Sequence, residues 1–162
     1  MIFVTVGSQM PFDRLIKAMD QWATTQKEPI DIFAQIGSNG FIPQKLRFAN
    51  AVSPKEFNEL ARSARLIVAH AGMGSILTAL EFGKPLVLMP RRGTLHETRN
   101  DHQVATAQWL ENRAGIYVAM TEVELPATLE KALQADTNQH DKISSYASPL
   151  LLNSLSDFIN SA

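Results

Sequence analysis

Apolar and polar positions form two alternating patterns along the chain. Short apolar runs, several of them rich in β-branched side chains, predict six buried strands, at residues 2–6, 30–36, 46–52, 66–69, 86–89 and 115–119. After the first run, apolar residues recur at helical spacing, at Phe12, Leu15, Ile16, Met19 and Trp22. Later segments predict helices at about residues 53–64, 76–82, 101–112 and 149–160, with another ending near residue 135.

Two of these helices are preceded by a capping signal. Ser53 and Glu56 have the spacing of a capping box, and Pro54 stands at the first helical position between them. Thr121 and Glu124 repeat that spacing ahead of the helix that ends near residue 135. The two patterns fix where the second and the fifth predicted helices begin.

Strands that alternate with helices predict one parallel sheet with helices on both faces, an α/β domain of the Rossmann-like type. The expected unit is a single domain, 1–162, with its core at about 2–135 and a C-terminal helix at about 149–160. That last helix either closes the core or docks a partner chain, and its sequence leaves both open. Ligands of such sheets bind beyond the carboxyl ends of the strands, where the glycine-containing loops are expected to lie.

A glycine-containing turn joins the fourth predicted strand to the helix after it. The sequence His70-Ala71-Gly72-Met73-Gly74-Ser75 has little side-chain bulk, so a ligand can reach unpaired amides at the helix N-terminus. This favours a phosphate or diphosphate site, with His70 as a candidate phosphate donor or partial counter-charge. A tight turn with close packing explains the same residues nearly as well, and Gly7-Ser8-Gln9 at the same edge favours the phosphate site.

Composition and motifs exclude several classes of function. With 15 basic and 16 acidic residues the net charge is −1, which implies no nucleic-acid partner. No apolar run is long enough to span a membrane, the N-terminus lacks the features of a signal peptide, and there is no cysteine for a disulfide. Fingerprints for NAD and P-loop nucleotides are absent, and His96-Glu97 lacks the second histidine of a zinc motif, so no metal site is expected.

Several landmarks occur in a fixed order along the chain. They are Val6-Gly7-Ser8-Gln9, the turn from His70 to Ser75, Gly83-Lys84-Pro85 leading to Pro90, and His102-Gln103. In this order they resemble the C-terminal, donor-binding domain of family 28 glycosyltransferases, one half of a GT-B fold, over about residues 2–133. The resemblance is strongest to short, stand-alone versions of that domain. Those are the catalytic subunits of two-chain enzymes of bacterial exopolysaccharide synthesis and of dolichol-linked chitobiose synthesis.

The resemblance implies a UDP-sugar donor bound without a metal or a cofactor. Its diphosphate would meet a first group of residues: Gly7, Ser8, Gly72, Met73, Gly74 and Ser75. The uracil and ribose would meet a second group: Asn50, Val52, Ser53 and Thr78. The sugar would meet a third: His102, Gln103 and Arg91, of which His102 and Gln103 could meet the ribose instead. Thr78 stands where the family often has an acidic residue that grips the ribose, and Glu81 one turn later is the candidate substitute.

A single domain lacks the half that carries the acceptor site and the usual catalytic base. The resemblance therefore implies an inverting hexosyltransferase completed by a membrane-associated partner subunit, with a lipid-linked sugar acceptor at the cytoplasmic face. The alternatives are a non-catalytic nucleotide-sugar-binding or assembly protein and, less favoured, an epimerase, which needs two domains. An exposed partner-binding face also allows a homodimer. Glucuronate, which Arg91, Arg92 or Arg99 would pair, N-acetylglucosamine, glucose and galactose all remain open as the sugar.

Overall fold

The computed structural model describes residues 1–135 together with Asn153, Ser156 and Ile159. Its strands are β1 Ile2–Thr5, β2 Ile32–Gln35, β3 Arg47–Ala49, β4 Leu66–Ala69, β5 Leu86–Leu88 and β6 Ile116–Val118. Its helices are α1 Asp13–Thr25, α2 Pro54–Ser63, α3 Met73–Glu81, α4 His102–Leu110 and α5 Leu125–Gln134. The predicted fold class is confirmed, because all neighbouring strands pair in parallel, in the order β3-β2-β1-β4-β5-β6.

The strand order creates a crevice next to β1. This strand pairs with β2 on one side and β4 on the other, so that Val4 is in register with both Ala34 and Val68. The chain leaves β1 through α1 towards β2, whereas it leaves β4 through α3 towards β5 on the opposite side. Connections that diverge in this way leave room between the carboxyl ends of the two strands, which is where open α/β sheets bind ligands.

Helices cover both faces of the sheet, as the continuous apolar runs predict. One core cluster joins Val4 and Val68 to Leu15 of α1 and Leu129 of α5. The other joins the opposite face of the sheet, including Phe3, to the helices α2, α3 and α4. Every residue of β1 and β4 is buried, so these two strands form a rigid floor under the crevice.

The capping box before α2 is confirmed. The amide of Glu56 donates to the Ser53 hydroxyl over 3.3 Å, and the Ser53 amide donates to the Glu56 carboxylate over 2.8 Å. The second capping signal was wrong as a helix start, since α5 begins only at Leu125. There Glu124 accepts hydrogen bonds from the Met120 amide and the Thr121 hydroxyl, and it thereby closes a turn ahead of the helix.

The third strand is shorter than its predicted range. Only Arg47–Ala49 pairs with β2, and two of its three residues are exposed because β3 is an edge strand. The predicted helix at 149–160 lies outside the described residues except at Asn153, Ser156 and Ile159, each of which is helical. None of the described helices is long and apolar enough to cross a membrane.

Candidate functional site

A cavity of about 560 Å³ opens at the carboxyl edge of the sheet, beside the crevice between β1 and β4. We call it the site cavity. Most of the residues predicted to bind a ligand line it, namely Gly7, Ser8, Val52, His70, Gly72, Met73, Gly74, Ser75, Thr78, Arg91, His102 and Gln103. Asn50 and Ser53 belong to the same predicted set but do not line it. Residues from four separate loops therefore meet at one place, as the strand order requires.

The first turn of α3 presents unpaired backbone donors to the site cavity. Among the described residues, the amides of Met73, Gly74 and Ser75 have no acceptor, and the cap residue Gly72 supplies no side chain. A Cβ atom added at Gly74 would meet nothing within 4 Å, so this glycine faces open space. Three free N–H groups at the positive end of a helix favour an anion.

His70 lies between the two glycine loops. A Cβ atom on Gly7 would stand 2.7 Å from Cε1 of the His70 ring, and one on Gly72 would overlap the ring. Burial lowers the pKa of His70 to about 4, the charge of Arg91 adds to this shift, and the backbone of Thr5 opposes it. The imidazole of the unliganded protein is therefore neutral at pH 7, which suits a hydrogen-bond donor better than a counter-charge.

A small polar network fixes the loop after β1. The Thr5 hydroxyl donates to the side-chain carbonyl of Gln35 over 2.6 Å, and the amide of Gly7 donates back to the Thr5 hydroxyl over 3.2 Å. The Gln35 side-chain amide donates to the Gly7 carbonyl over 3.2 Å. Gly7 has a φ of +79°, a left-handed conformation that glycine adopts without strain. The network thus holds the Gly7 backbone in position beside the His70 ring.

Two of the predicted diphosphate residues already use their amides within the protein. Gly7 donates to Thr5, and Gly72 donates to the carbonyl of His70 over 2.8 Å. The structure gives both glycines another part, since each leaves space for the His70 ring. The free donors next to the anion site are those of Met73, Gly74 and Ser75 instead.

The Arg91 guanidinium holds the loop between β1 and α1. The residue is only 4% exposed, and the guanidinium donates to the carbonyls of Val6, Met10 and Pro11 over 2.8, 2.6 and 2.7 Å. It also lies over the Phe12 ring, 4.7 Å from the ring centroid. All of these interactions are with the protein itself, and the predicted contact of Arg91 with the sugar stays a prediction.

The loop of residues 89–101, between β5 and α4, forms a further wall of the site cavity. Glu97 in this loop pairs with Arg14 of α1 through both carboxylate oxygens, over 2.7 and 2.8 Å. Burial opposes the charge of Arg14, but its hydrogen bonds to Glu97 and Glu122 outweigh burial and raise its pKa. The loop leads into α4, whose first residue, His102, forms a hydrogen bond with Asn100 of the loop.

Gln103 connects this wall to the floor of the cavity. Its side-chain carbonyl accepts from the backbone amide of Arg91 over 3.1 Å, and the side chain is 7% exposed. The side-chain NH₂ group of Gln103 has no acceptor among the described residues, so it remains available to a ligand. No cluster of three His, Asp or Glu side chains suited to a metal occurs within the described residues.

The opposite end of the site cavity is mainly apolar. Val52, Pro54 and Phe57, from the start of α2 and the loop before it, line this end together with Thr78. The Thr78 hydroxyl donates to the carbonyl of Gly74 over 2.9 Å, which leaves its oxygen free to accept. Glu81, the suggested substitute for the family's acidic residue, does not line the cavity.

The side chains of Asn50 and Ser53 are not at the cavity surface. The backbone carbonyl of Asn50 accepts from the backbone amide of Gly37 over 3.0 Å, and the Ser53 hydroxyl belongs to the capping box. Their loop still carries Val52 into the lining. Any contact of Asn50 or Ser53 with a base through their backbone remains a prediction.

Sequence reasoning missed the residues that support the site. Thr5 and Gln35 carry a detectable signal, because each is a polar residue in an otherwise apolar strand and each is buried. Arg14, Glu97 and Phe57 carry no comparable signal, since charged and aromatic residues on helices and loops are common. Their partners lie far away in the sequence, and only the fold brings them together.

Comparison with known proteins identifies relatives of the whole described domain. The profile of the "Glycosyltransferase family 28 C-terminal domain" matches residues 1–160. The human "UDP-N-acetylglucosamine transferase subunit ALG13" is 30% identical over 125 residues, which is 72% of this chain and 11% of that protein. This chain spans about a tenth of the length of the curated relatives that it matches.

Solved structures support the same fold. An NMR structure of ALG13 has a TM-score of 0.59 at 21% identity and covers 95% of this chain and 93% of its own. The crystal structure of MurG from Acinetobacter baumannii has a TM-score of 0.70 at 17% identity, covering 100% of this chain and 50% of that protein. The matched fold thus makes up half of the MurG chain.

Proposed function

This chain belongs to the glycosyltransferase family 28 C-terminal domain family, and we propose that it is the donor-binding subunit of a two-chain glycosyltransferase. Its donor is a UDP-sugar, and the transferred group is a hexosyl residue. The observation that carries this proposal is the set of free amides at Met73, Gly74 and Ser75, which open onto the site cavity.

The donor would lie along the carboxyl edge of the sheet. Its diphosphate would accept hydrogen bonds from the α3 amides, and its uracil and ribose would extend towards Val52 and Thr78. Its sugar would extend in the other direction, towards His102 and Gln103. The strand order supports this arrangement, because β3 and β5 lie on opposite sides of the crevice next to β1.

Transfer proceeds with inversion in this proposal. A hydroxyl oxygen of the acceptor attacks the anomeric carbon of the sugar, the bond from that carbon to the diphosphate oxygen breaks, and UDP leaves. The α3 amides stabilise the negative charge that develops on the leaving diphosphate. A metal ion is not required for that role. The hydroxyl proton passes to a base that the partner subunit supplies.

A partner subunit is part of the same proposal. One half of a cleft can hold the donor but cannot orient an acceptor hydroxyl for attack. The likeness to 50% of MurG and the name of ALG13 as a subunit support a second polypeptide. We propose that this partner is membrane-associated, that the acceptor is a lipid-linked sugar, and that transfer takes place at the cytoplasmic face of the membrane.

The test combines the purified chain with candidate membrane-associated partner proteins, a lipid-linked sugar extract and a series of UDP-sugars. Transfer of radiolabelled sugar that needs both proteins is the expected result. Calorimetry on the chain alone should detect UDP binding. Tight UDP-sugar binding without turnover in any pairing would favour a nucleotide-sugar-binding protein instead. Absence of UDP binding would overturn the proposed function.

A further inference from the structure

One ion pair ties the wall of the site cavity to a helix on the other side of the loop. Arg14, in the first turn of α1, grips Glu97 through Nε and Nη2, over 2.7 and 2.8 Å. Its Nη2 also donates to the carbonyl of Pro90 over 3.0 Å, at the start of the same loop. A planar guanidinium that makes parallel bonds to a carboxylate fixes orientation as well as distance. Arg14 therefore holds both ends of the segment from Pro90 to Glu97.

This pair differs from the surface pairs of the protein. The side chains of Arg14 and Glu97 are 13% and 14% exposed, whereas those of Arg47 and Asp31 are 65% and 56% exposed. Exposed pairs contribute little because water screens them, but a mostly buried bidentate pair keeps its geometry. The outer partner of Arg14, Glu122, is 50% exposed and accepts a single hydrogen bond over 3.0 Å.

The segment held by Arg14 has little regular structure of its own. It contains one 3₁₀ turn, Gly93–Leu95, followed by His96 with a φ of +57°. The carboxylate of Glu97 also accepts from the backbone amide of Arg92 over 2.9 Å. Glu97 thus organises the inside of the loop while Arg14 fixes it from the outside.

Glu97 and its neighbour Thr98 line the site cavity. Thr98 has no hydrogen bond with any described residue, so its hydroxyl is available to a ligand. Both residues follow β5, whereas Val52 and Phe57 follow β3, on the other side of the crevice. If the diphosphate sits on the α3 amides, the nucleoside occupies the β3 side and the loop after β5 faces the part of the ligand beyond the diphosphate.

We propose that Arg14 is a positioning residue, which fixes Glu97 and Thr98 so that this wall recognises the sugar of the donor. This inference rests on the proposed function, because it assigns the sugar end of the same site. It concerns selectivity among donors, and Arg14 itself touches no ligand. Removing the Arg14–Glu97 ion pair should therefore weaken the binding of the sugar while the binding of the nucleotide persists.

The experiment measures the Kd values of UDP and of a panel of UDP-sugars by calorimetry, for the unaltered chain and its variants. In the variant Arg14→Gln we expect the preferred UDP-sugar to bind about five- to tenfold more weakly, with UDP within about twofold. Arg14→Lys keeps the charge but cannot make the two parallel hydrogen bonds to Glu97, so it should lose less UDP-sugar affinity than Arg14→Gln does. Hydrogen exchange in residues 91–101 should accelerate in both variants.

Matched controls separate this effect from a general loss of charge. Arg47→Gln removes an arginine from an exposed pair, and Glu122→Gln removes only the outer partner of Arg14. Both should bind UDP and the preferred UDP-sugar as the unaltered chain does. If Arg14→Gln does not fold, Arg14→Lys carries the comparison.

Three outcomes would overturn the inference. The first is a folded Arg14 variant that keeps the original ratio of UDP to UDP-sugar affinity. The second is a variant in which both affinities fall equally, since that would indicate a merely structural role. The third is an unaltered chain that binds UDP but prefers no UDP-sugar. An unaltered chain that does not bind UDP at all would instead refute the proposed function, and this inference with it.

Discussion

The imidazole of His70 is enclosed from two directions by residues that have no side chain. Gly7 and Gly72 belong to loops 65 positions apart in the sequence, and both would collide with the ring if they carried a Cβ atom. A buried imidazolium lacks the hydration that stabilises its charge in water, which is why burial is the main cause of the lowered pKa. Close packing at the edge of the site cavity thus sets the charge state of a group next to the proposed anion site.

The lowered pKa of His70, about 4, predicts that acid destabilises the protein. In the unfolded chain the group binds a proton at about pH 6.5, so between these two values the unfolded state holds more protons and stability falls as the pH falls. From pH 7 to pH 5 we expect a loss of about 2 kcal/mol in unfolding free energy from this group. Urea titrations at the two pH values measure it.

The control for the pH prediction is His70→Asn, which keeps a polar side chain that does not titrate. In this variant the unfolding free energy should change much less between pH 7 and pH 5 than it does in the unaltered chain. An equal pH dependence in both proteins would show that carboxylates elsewhere, rather than His70, cause the acid sensitivity.

Gly74→Asp should abolish UDP binding without unfolding the protein. A Cβ atom at this position meets nothing within 4 Å, so the side chain fits, and a carboxylate in the first turn of a helix is favourable. The same carboxylate would occupy the proposed anion site and repel the diphosphate of UDP. Calorimetry with UDP and a thermal melt of each protein make the test.

Gly74→Ala is the matched control, because it adds the Cβ atom without the charge. It should bind UDP more tightly than Gly74→Asp and melt at a similar temperature. If folded Gly74→Asp retains the UDP affinity of the unaltered chain, the anion is not bound at the first turn of α3.

At the residue scale the sequence identified positions better than roles. It placed Gly7, Gly72 and Gly74 near a phosphate, and all three line the site cavity. It could not distinguish Gly74, which faces open space, from Gly72, which makes room for a ring. That difference depends on where the side chain of His70 points, and no local pattern encodes it. The same holds for Arg91, whose hydrogen-bond partners Val6, Met10 and Pro11 are 80 or more positions away.

At the element scale the start of α2 offers a separate test. The family resemblance predicts that Ser53 contacts the nucleoside, but in the structure its hydroxyl completes the capping box. Ser53→Ala should therefore lower the stability by about 1 kcal/mol, since the helix loses a partner for its Glu56 amide. For a chain of this size the Tm should fall by about 2–4 °C.

Nucleotide affinity separates the two roles of Ser53. A purely capping hydroxyl predicts an unchanged Kd for UDP in the folded Ser53→Ala variant. Ser53→Asp supplies a different N-cap and should recover the melting temperature. A loss of UDP affinity in Ser53→Ala that Ser53→Asp does not correct would indicate that the hydroxyl contacts the ligand.

The order and type of the elements followed from the sequence because burial on both faces leaves continuous apolar runs in the strands. The bounds of β3 did not follow, since an edge strand exposes Arg47 and Phe48 and pairs on one side only. The start of α5 did not follow either, because Thr121 and Glu124 close a turn that has the same spacing as a helix cap. Local spacing specifies a hydrogen bond between two side chains but not the element that follows it.

At the scale of the whole molecule, the strand order matters more than any single loop. Four loops far apart in sequence meet at the site cavity because β1 and β4 are neighbours and their connections diverge. The alternation of strands and helices predicts a parallel sheet, and right-handed crossovers restrict the possible orders to a few. The strand order does not specify the side of the site cavity that faces away from the sheet. That is the side where the proposed partner subunit would complete the cleft.

Binding of the donor should stabilise the whole domain, and the size of this effect ranks the ligands. A ligand that binds only the folded state at 100 times its Kd adds about 2.7 kcal/mol, which for this size corresponds to a Tm increase of about 5–10 °C. We expect UDP and one UDP-sugar to give the largest shifts, and GDP and dTDP smaller ones. Gly74→Asp should show no shift with any of them, which excludes stabilisation by nonspecific anion binding. Equal shifts with all diphosphates would mean that the protein recognises the phosphates alone, and the apolar end formed by Val52, Pro54 and Phe57 would then have no part in selecting the base.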